Sequence, residues 1–143
     1  MHSILENILL DFTEKDFLKT QKLIFFLEDQ YDHLNDYIKK SISHIINYHH
    51  AVHSRIERRK IESELWDVLP CAYWERLLNQ NYLATKNIIH THFVSESDLN
   101  KLLEINNILH QLFEHNTHHR AQILYNLKEN KLNIPNLNMI LIQ

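Results

Sequence analysis

The sequence predicts an all-α protein, a bundle of four helices, and three observations carry that prediction. The 143 residues contain no glycine, the residue on which left-handed turns and tight β-hairpins most depend. Only two prolines, Pro70 and Pro135, interrupt the chain, so long stretches are free of helix breakers. Apolar residues recur at steps of three and four along most of the length, as one face of an α-helix requires.

The elements follow in order. A first helix is expected from about Ser3 to Gln30, with Leu5, Ile8, Leu9 and Phe12 followed by Phe17, Ile24 and Leu27 on its apolar face. The pattern changes phase near Asp16. A second helix is expected from about Asn35, a residue suited to capping, to Arg59, with Ile38, Ile42, Ile45, Val52 and Ile56 along one stripe. A connection over about Ile61 to Leu69 leads to Pro70, which is tolerated in the first turn of a helix, so a third helix is placed from about Pro70 to Phe93. Ser95 or Ser97 is expected to cap a fourth helix over about Asp98 to Lys131, stopped by Pro135 and an Asn-rich tail whose last residues, LNMILIQ, are expected to pack on the bundle, with a partner-facing edge as the alternative. Four helices and three connections suit one domain over residues 1–143, with enough apolar residues for a core that needs no disulfide.

Composition narrows the function classes. The 15 Lys and Arg nearly balance the 18 Asp and Glu, and the one dense basic stretch, Arg55 to Lys60, is broken by Ile56 and Glu57 and reads as the solvated end of a helix. A nucleic-acid partner is therefore not expected. A single cysteine, Cys71, excludes an internal disulfide, and the first residues carry acidic groups where a signal peptide has a basic flank. No apolar run approaches the roughly 20 residues that cross a bilayer, so neither a membrane partner nor a site other than the cytoplasm is expected. No Gly-rich phosphate loop, nucleophile elbow or paired-carboxylate motif is present.

The chain is rich in histidine, with 12. At that density about one His pair four residues apart is expected by chance, and the sequence has two, His49/His53 and His115/His119. Helical steps from the second pair run back through Leu112, Ile108 and Ile105 and forward through Gln122, Ile123 and Asn126, so this pair continues an inward stripe. Two imidazoles one turn apart can share one metal ion. The alternative is a pair of buried histidines hydrogen-bonded to each other or to Asn126. His49/His53 straddles the edge of its stripe beside the basic end and is read as mostly surface. A third ligand has to come from a facing helix, and His44, beside Ile45 on the core side of helix two, is the candidate; its alternative is a half-buried helix histidine.

Three segments, SISHIINYHHAVHSRI at 41–56, WDVLP at 66–70 and ILHQLFEHNTHHRAQI at 108–123, resemble in order and spacing the DinB-like superfamily of metal-binding four-helix bundles. The most specific element is H-x-x-x-H-R-x-Q, here His115 to Gln122. The resemblance implies an up-down-down-up bundle and a metal triad of His44, His115 and His119. His44 is favoured over His49 because Arg55-Ile56 follows it at the family's spacing, Val52 stands where many members carry Trp, and His118 occupies a variable position that is not a ligand. It further implies a divalent ion such as nickel or zinc, a small-molecule substrate, frequent homodimers, and activities that include transferases and isomerases using low-molecular-weight thiols.

Three neutral imidazoles would leave coordination positions open to substrate, as in catalytic rather than structural sites. Transfer of a low-molecular-weight thiol to a small electrophile is the first expectation, with hydrolysis at the same site or a non-catalytic helical interaction module as alternatives. Around the triad, Gln122 lies on the ligand face and is a candidate to orient a bound group. Tyr48 is one turn from His44, and Glu114 is a weaker candidate base on a different face. Arg120 is either an anion clamp or the partner of a neighbouring helix.

Overall fold

The computed structural model describes residues 2–62, 64–95 and 98–136. The protein is all-helical, with α1 over His2–Asp29, a 3-10 turn over Tyr31–His33, α2 over Asp36–Ile56, α3 over Cys71–Ser95 and α4 over Leu99–Glu129. The expected elements are all present, and the differences lie at their ends. Asn35 caps α2 as expected, its side chain accepting from the Ile38 amide. α4 is capped by Asp98, whose side chain accepts from the Asn100 amide; Ser95 instead belongs to α3 and bonds back to the Thr91 carbonyl, and Ser97 lies outside the described residues. Also outside them is the LNMILIQ tail.

Two helices end earlier than expected, and for one cause. α2 stops at Ile56 rather than Arg59, and α4 at Glu129 rather than Lys131, because Arg58 (φ 55°) and Lys131 (φ 56°) turn left-handed. Each then lets the next amide reach back, Arg59 to the Ser54 carbonyl at 2.7 Å and Leu132 to the Leu127 carbonyl at 2.9 Å. This is the Schellman ending, which usually recruits glycine. A chain without glycine uses a basic residue there at a steric cost.

Cross-helix contacts give the directions. Glu6 meets His90 and Phe17 stacks on Tyr82, so α1 and α3 are antiparallel. Phe12 meets His110 and Asp16 meets Arg120, so α1 and α4 are parallel. His44 meets His115 while Asn35 meets Asn126, so α2 and α4 are antiparallel. Asn81 binds the Ile46 carbonyl and Thr85 binds His53, so α2 and α3 are parallel. The bundle is thus up-down-down-up, with α2 packed between α3 and α4. Two parallel consecutive helices need a connection running the length of the bundle, and the described residues 57–62 and 64–70 belong to it.

The core has two apolar ends and a polar middle. One cluster joins Leu23, Leu27, Ile38, Ile42, Ile45, Trp74, Leu78, Ile123 and Leu127; the other joins Leu9, Val52, Ile89, Phe93, Leu102, Leu109 and Leu112. Each fully buried Leu or Ile contributes about 1.5–3 kcal/mol. Between the clusters every helix supplies buried polar groups: Asp16 and Thr20 from α1, His44, Asn47, His49 and His53 from α2, Asn81 and Thr85 from α3, Asn116, His119 and Arg120 from α4. Such a belt is stable only if its members partner one another. The phase change near Asp16 marks where α1 enters it.

Candidate metal centre

The crossover segment builds one wall of the site. Its Leu69 amide donates to Ser43 Oγ at 2.9 Å, and its Asp67 carbonyl accepts from Asn47 at 2.9 Å, fastening it along α2. Just before these anchors in the chain, the Leu65 carbonyl lies 2.9 Å from His44 Nδ1. A carbonyl can only accept, so Nδ1 carries the proton and the neutral ring presents the Nε2 lone pair. Next to it, the Trp66 indole stacks on the same imidazole, centroids 3.7 Å apart and planes within 4°.

His44 Nε2 lies 3.1 Å from His115 Nε2, and one ring nitrogen from each of His44, His115 and His119 falls within 4.8 Å of the others. An ion bound tetrahedrally at about 2.0–2.1 Å separates its ligand nitrogens by about 3.3 Å, close to the spacing of the first pair. Burial lowers the pKa of His44 and pushes His115 and His119 down to about 4, with the neighbouring imidazoles adding to the effect for the latter two. The three rings are therefore neutral near pH 7, the form that ligates metals. Nδ1 of His115 and of His119 is buried without a hydrogen-bond partner within bonding geometry among the described residues, while the Nε2 atom of His115 is the one that faces His44. The donor set fits a divalent transition-metal ion, for which imidazole is a common ligand.

The other expected site residues separate into two groups. Tyr48 stacks on His115 with ring centroids 3.6 Å apart, and Gln122 is near enough to His119 to oppose its lowered pKa; both belong to the centre. Arg120 does not. Its guanidinium is fully buried and bonds Asp16 Oδ1 at 2.6 Å, Thr20 at 2.8 Å and Thr117 at 3.1 Å, so it joins α4 to α1 and is not an anion clamp. Glu114 and His118 are exposed. Asn126 bonds Asn35 and Asn130 rather than the histidines.

His49 and His53 correct the expectation of a surface pair, since both are buried. α2 has two inward faces because it packs against two helices, and this pair faces α3. Their Nε2 atoms lie 2.8 and 2.6 Å from Thr85 Oγ1, whose own proton goes to the Asn81 carbonyl at 3.0 Å. The hydroxyl oxygen therefore accepts from both neutral rings.

Trp66 and the Leu65 carbonyl are the participants that sequence reasoning passed over. Val52, at the position where the resemblance places a Trp, packs in the apolar cluster of Leu9 and Phe93, while the indole at the centre comes from the crossover. The available signal was the WDVLP segment itself, a tryptophan in a stretch with no helical period.

No described helix is long and apolar enough to cross a membrane. No family model matches the chain, no curated protein matches it, and no solved structure matches it.

Proposed function

We propose that this is a DinB-like, metal-dependent enzyme in which His44, His115 and His119 hold nickel or zinc, and that it transfers a low-molecular-weight thiol to a small electrophile. The observation that carries the reading is the convergence of three neutral imidazole nitrogens from α2 and α4 within 4.8 Å. A divalent ion held by three uncharged ligands keeps its charge and open positions, and so supplies a lowered pKa to a bound thiol or water and polarises an electrophilic oxygen.

The chain's own residues support this arrangement. The Leu65 carbonyl fixes the His44 tautomer, and Trp66 and Tyr48 hold two of the rings by stacking. Gln122 is positioned to hydrogen-bond a group beside His119. Cys71 sits at the start of α3, and burial, with Glu28 adding, pushes its thiol pKa up; it remains a thiol near pH 7 and is a poor nucleophile. An external thiol is the reading that needs no protein nucleophile.

The test is metal content followed by turnover. Purified protein should carry close to one divalent ion per chain, and His115→Ala should lose it while circular dichroism stays helical. Turnover of an electrophile should require both the metal and an added thiol. Metal-dependent turnover without thiol would transfer the site to the hydrolases, and a metal-free protein unchanged in stability by His115→Ala would leave a helical interaction module.

A further inference from the structure

The ligand stripes of α2 and α4 continue past the metal centre toward one end of the bundle. On α4, the steps from His115 and His119 lead to Gln122 and then to Tyr125 and Asn126. On α2, which runs the opposite way, the step back from His44 leads to Tyr37. The Asn35 to Asn126 hydrogen bond at 2.8 Å ties the helices together at that end. Between them lies an open groove of about 510 Å³ lined by Tyr37, His118, Ala121, Gln122, Tyr125 and Asn126.

Two features define what suits this groove. Its walls include two tyrosines whose surfaces face solvent, Tyr37 at 45 % and Tyr125 at 66 % exposure, flanked by two side-chain amides. None of the described lining residues is Asp, Glu, Lys or Arg, and the nearest arginine along α4, Arg120, is consumed by Asp16. A ligand carboxylate or phosphate placed there would lose hydration with no fixed cation in return, whereas an aromatic ring gains tyrosine faces and the amides serve neutral polar groups. The helical rise places Tyr125 about 9 Å along the axis from His119, and Tyr37 about 10 Å from His44.

We infer that the groove between Tyr37 and Tyr125 is the specificity pocket of the metal centre and takes the uncharged aromatic portion of the electrophile, whose reacting oxygen reaches the triad. This inference rests on the metal-centre reading above.

Hydroxamates separate the two. With zinc-loaded protein, acetohydroxamate reports access to the metal alone, 4-phenylbutanohydroxamate adds a ring at groove distance, and its para-carboxylate analogue adds a charge. The phenyl compound should bind at least about tenfold tighter than acetohydroxamate, and the carboxylate should remove most of that gain. The double variant Tyr37→Ala/Tyr125→Ala should cut phenyl-compound affinity at least about fivefold, with zinc content unchanged and the short acetohydroxamate bound alike by both proteins. Acetohydroxamate binding with no gain from the ring, or a gain that survives the double variant, overturns the groove assignment and leaves the metal centre standing. Failure to hold zinc overturns both.

Discussion

The Trp66 indole lies parallel to the His44 imidazole at 3.7 Å, although Trp66 is 53 % exposed and sits on a connection rather than a helix. One face thus supports a candidate ligand while the other meets solvent, and the contact exists because parallel α2 and α3 force the connection that carries Trp66 to run along the bundle. Trp66→Ala should weaken zinc binding by about two- to tenfold, the range of one aromatic contact. The chain's second tryptophan, Trp74, is fully buried in the apolar cluster at one end. Nickel addition should therefore quench Trp66 emission, and Trp66→Phe should abolish the response while leaving the Trp74 signal. Equal quenching in that variant would place the metal elsewhere.

Arg120 follows His119 directly, yet it serves the fold. It and Asp16 are both buried, and the second carboxylate oxygen of Asp16 accepts from Asn116 at 2.9 Å. Removing one partner leaves an uncompensated buried charge, so Asp16→Ala should cost about 3–5 kcal/mol in urea unfolding. Replacing Asp16 and Arg120 together with Leu and Met should recover much of that loss. A single variant with near-native stability would show the pair to be unimportant.

What the sequence made legible was whatever depends on a single helix. Four helices were readable from apolar spacing, and the inward position of His115 and His119 from the stripe that runs through Leu112 and Ile123. What depends on a second neighbour was not. His49 and His53 lie next to a basic helix end, and only the packing of α3 on that side of α2 buries them. Arg120 becomes structural only once α1 brings Asp16 to it. Trp66 has no periodicity to read, and its role follows from the direction of α3. The endings of α2 and α4 escaped because their left-handed residues are Arg58 and Lys131 rather than glycine.

Those endings give a stabilisation test. Lys131 is exposed at φ 56°, where a Cβ clashes with the backbone and glycine does not. Lys131→Gly should raise stability by about 0.5–1 kcal/mol, the steric relief less the added freedom of the unfolded chain. Lys131→Ala, which keeps the Cβ, should not. Comparing denaturation midpoints of the two variants decides whether the left-handed turn persists in solution.

His49 and His53, held on Thr85, contribute to how the protein responds to acid. Burial, with His50 and His115 adding, lowers the His49 pKa to about 3; burial, with His49, His50 and Arg59 adding, lowers that of His53 to about 2. In the unfolded chain both should titrate near 6.5. Between these values the unfolded state binds protons that the folded state does not, so stability falls as pH falls. The contribution is fully present above about pH 6.5 and lost below it, at about 1.4 kcal/mol per pH unit for each histidine. Unfolding of the zinc-loaded protein should therefore weaken from pH 6 to pH 5 by up to about 3 kcal/mol from this pair. His53→Asn should remove about half of this pair's share of the slope, since one titrating ring is gone. Thr85→Val should lower stability at every pH, because two buried imidazole N–H groups lose their acceptor, while leaving the slope near its native value. If His53→Asn leaves the slope between pH 6 and pH 5 unchanged, the ring is not held neutral in the folded protein, and its burial between α2 and α3 is not the native arrangement.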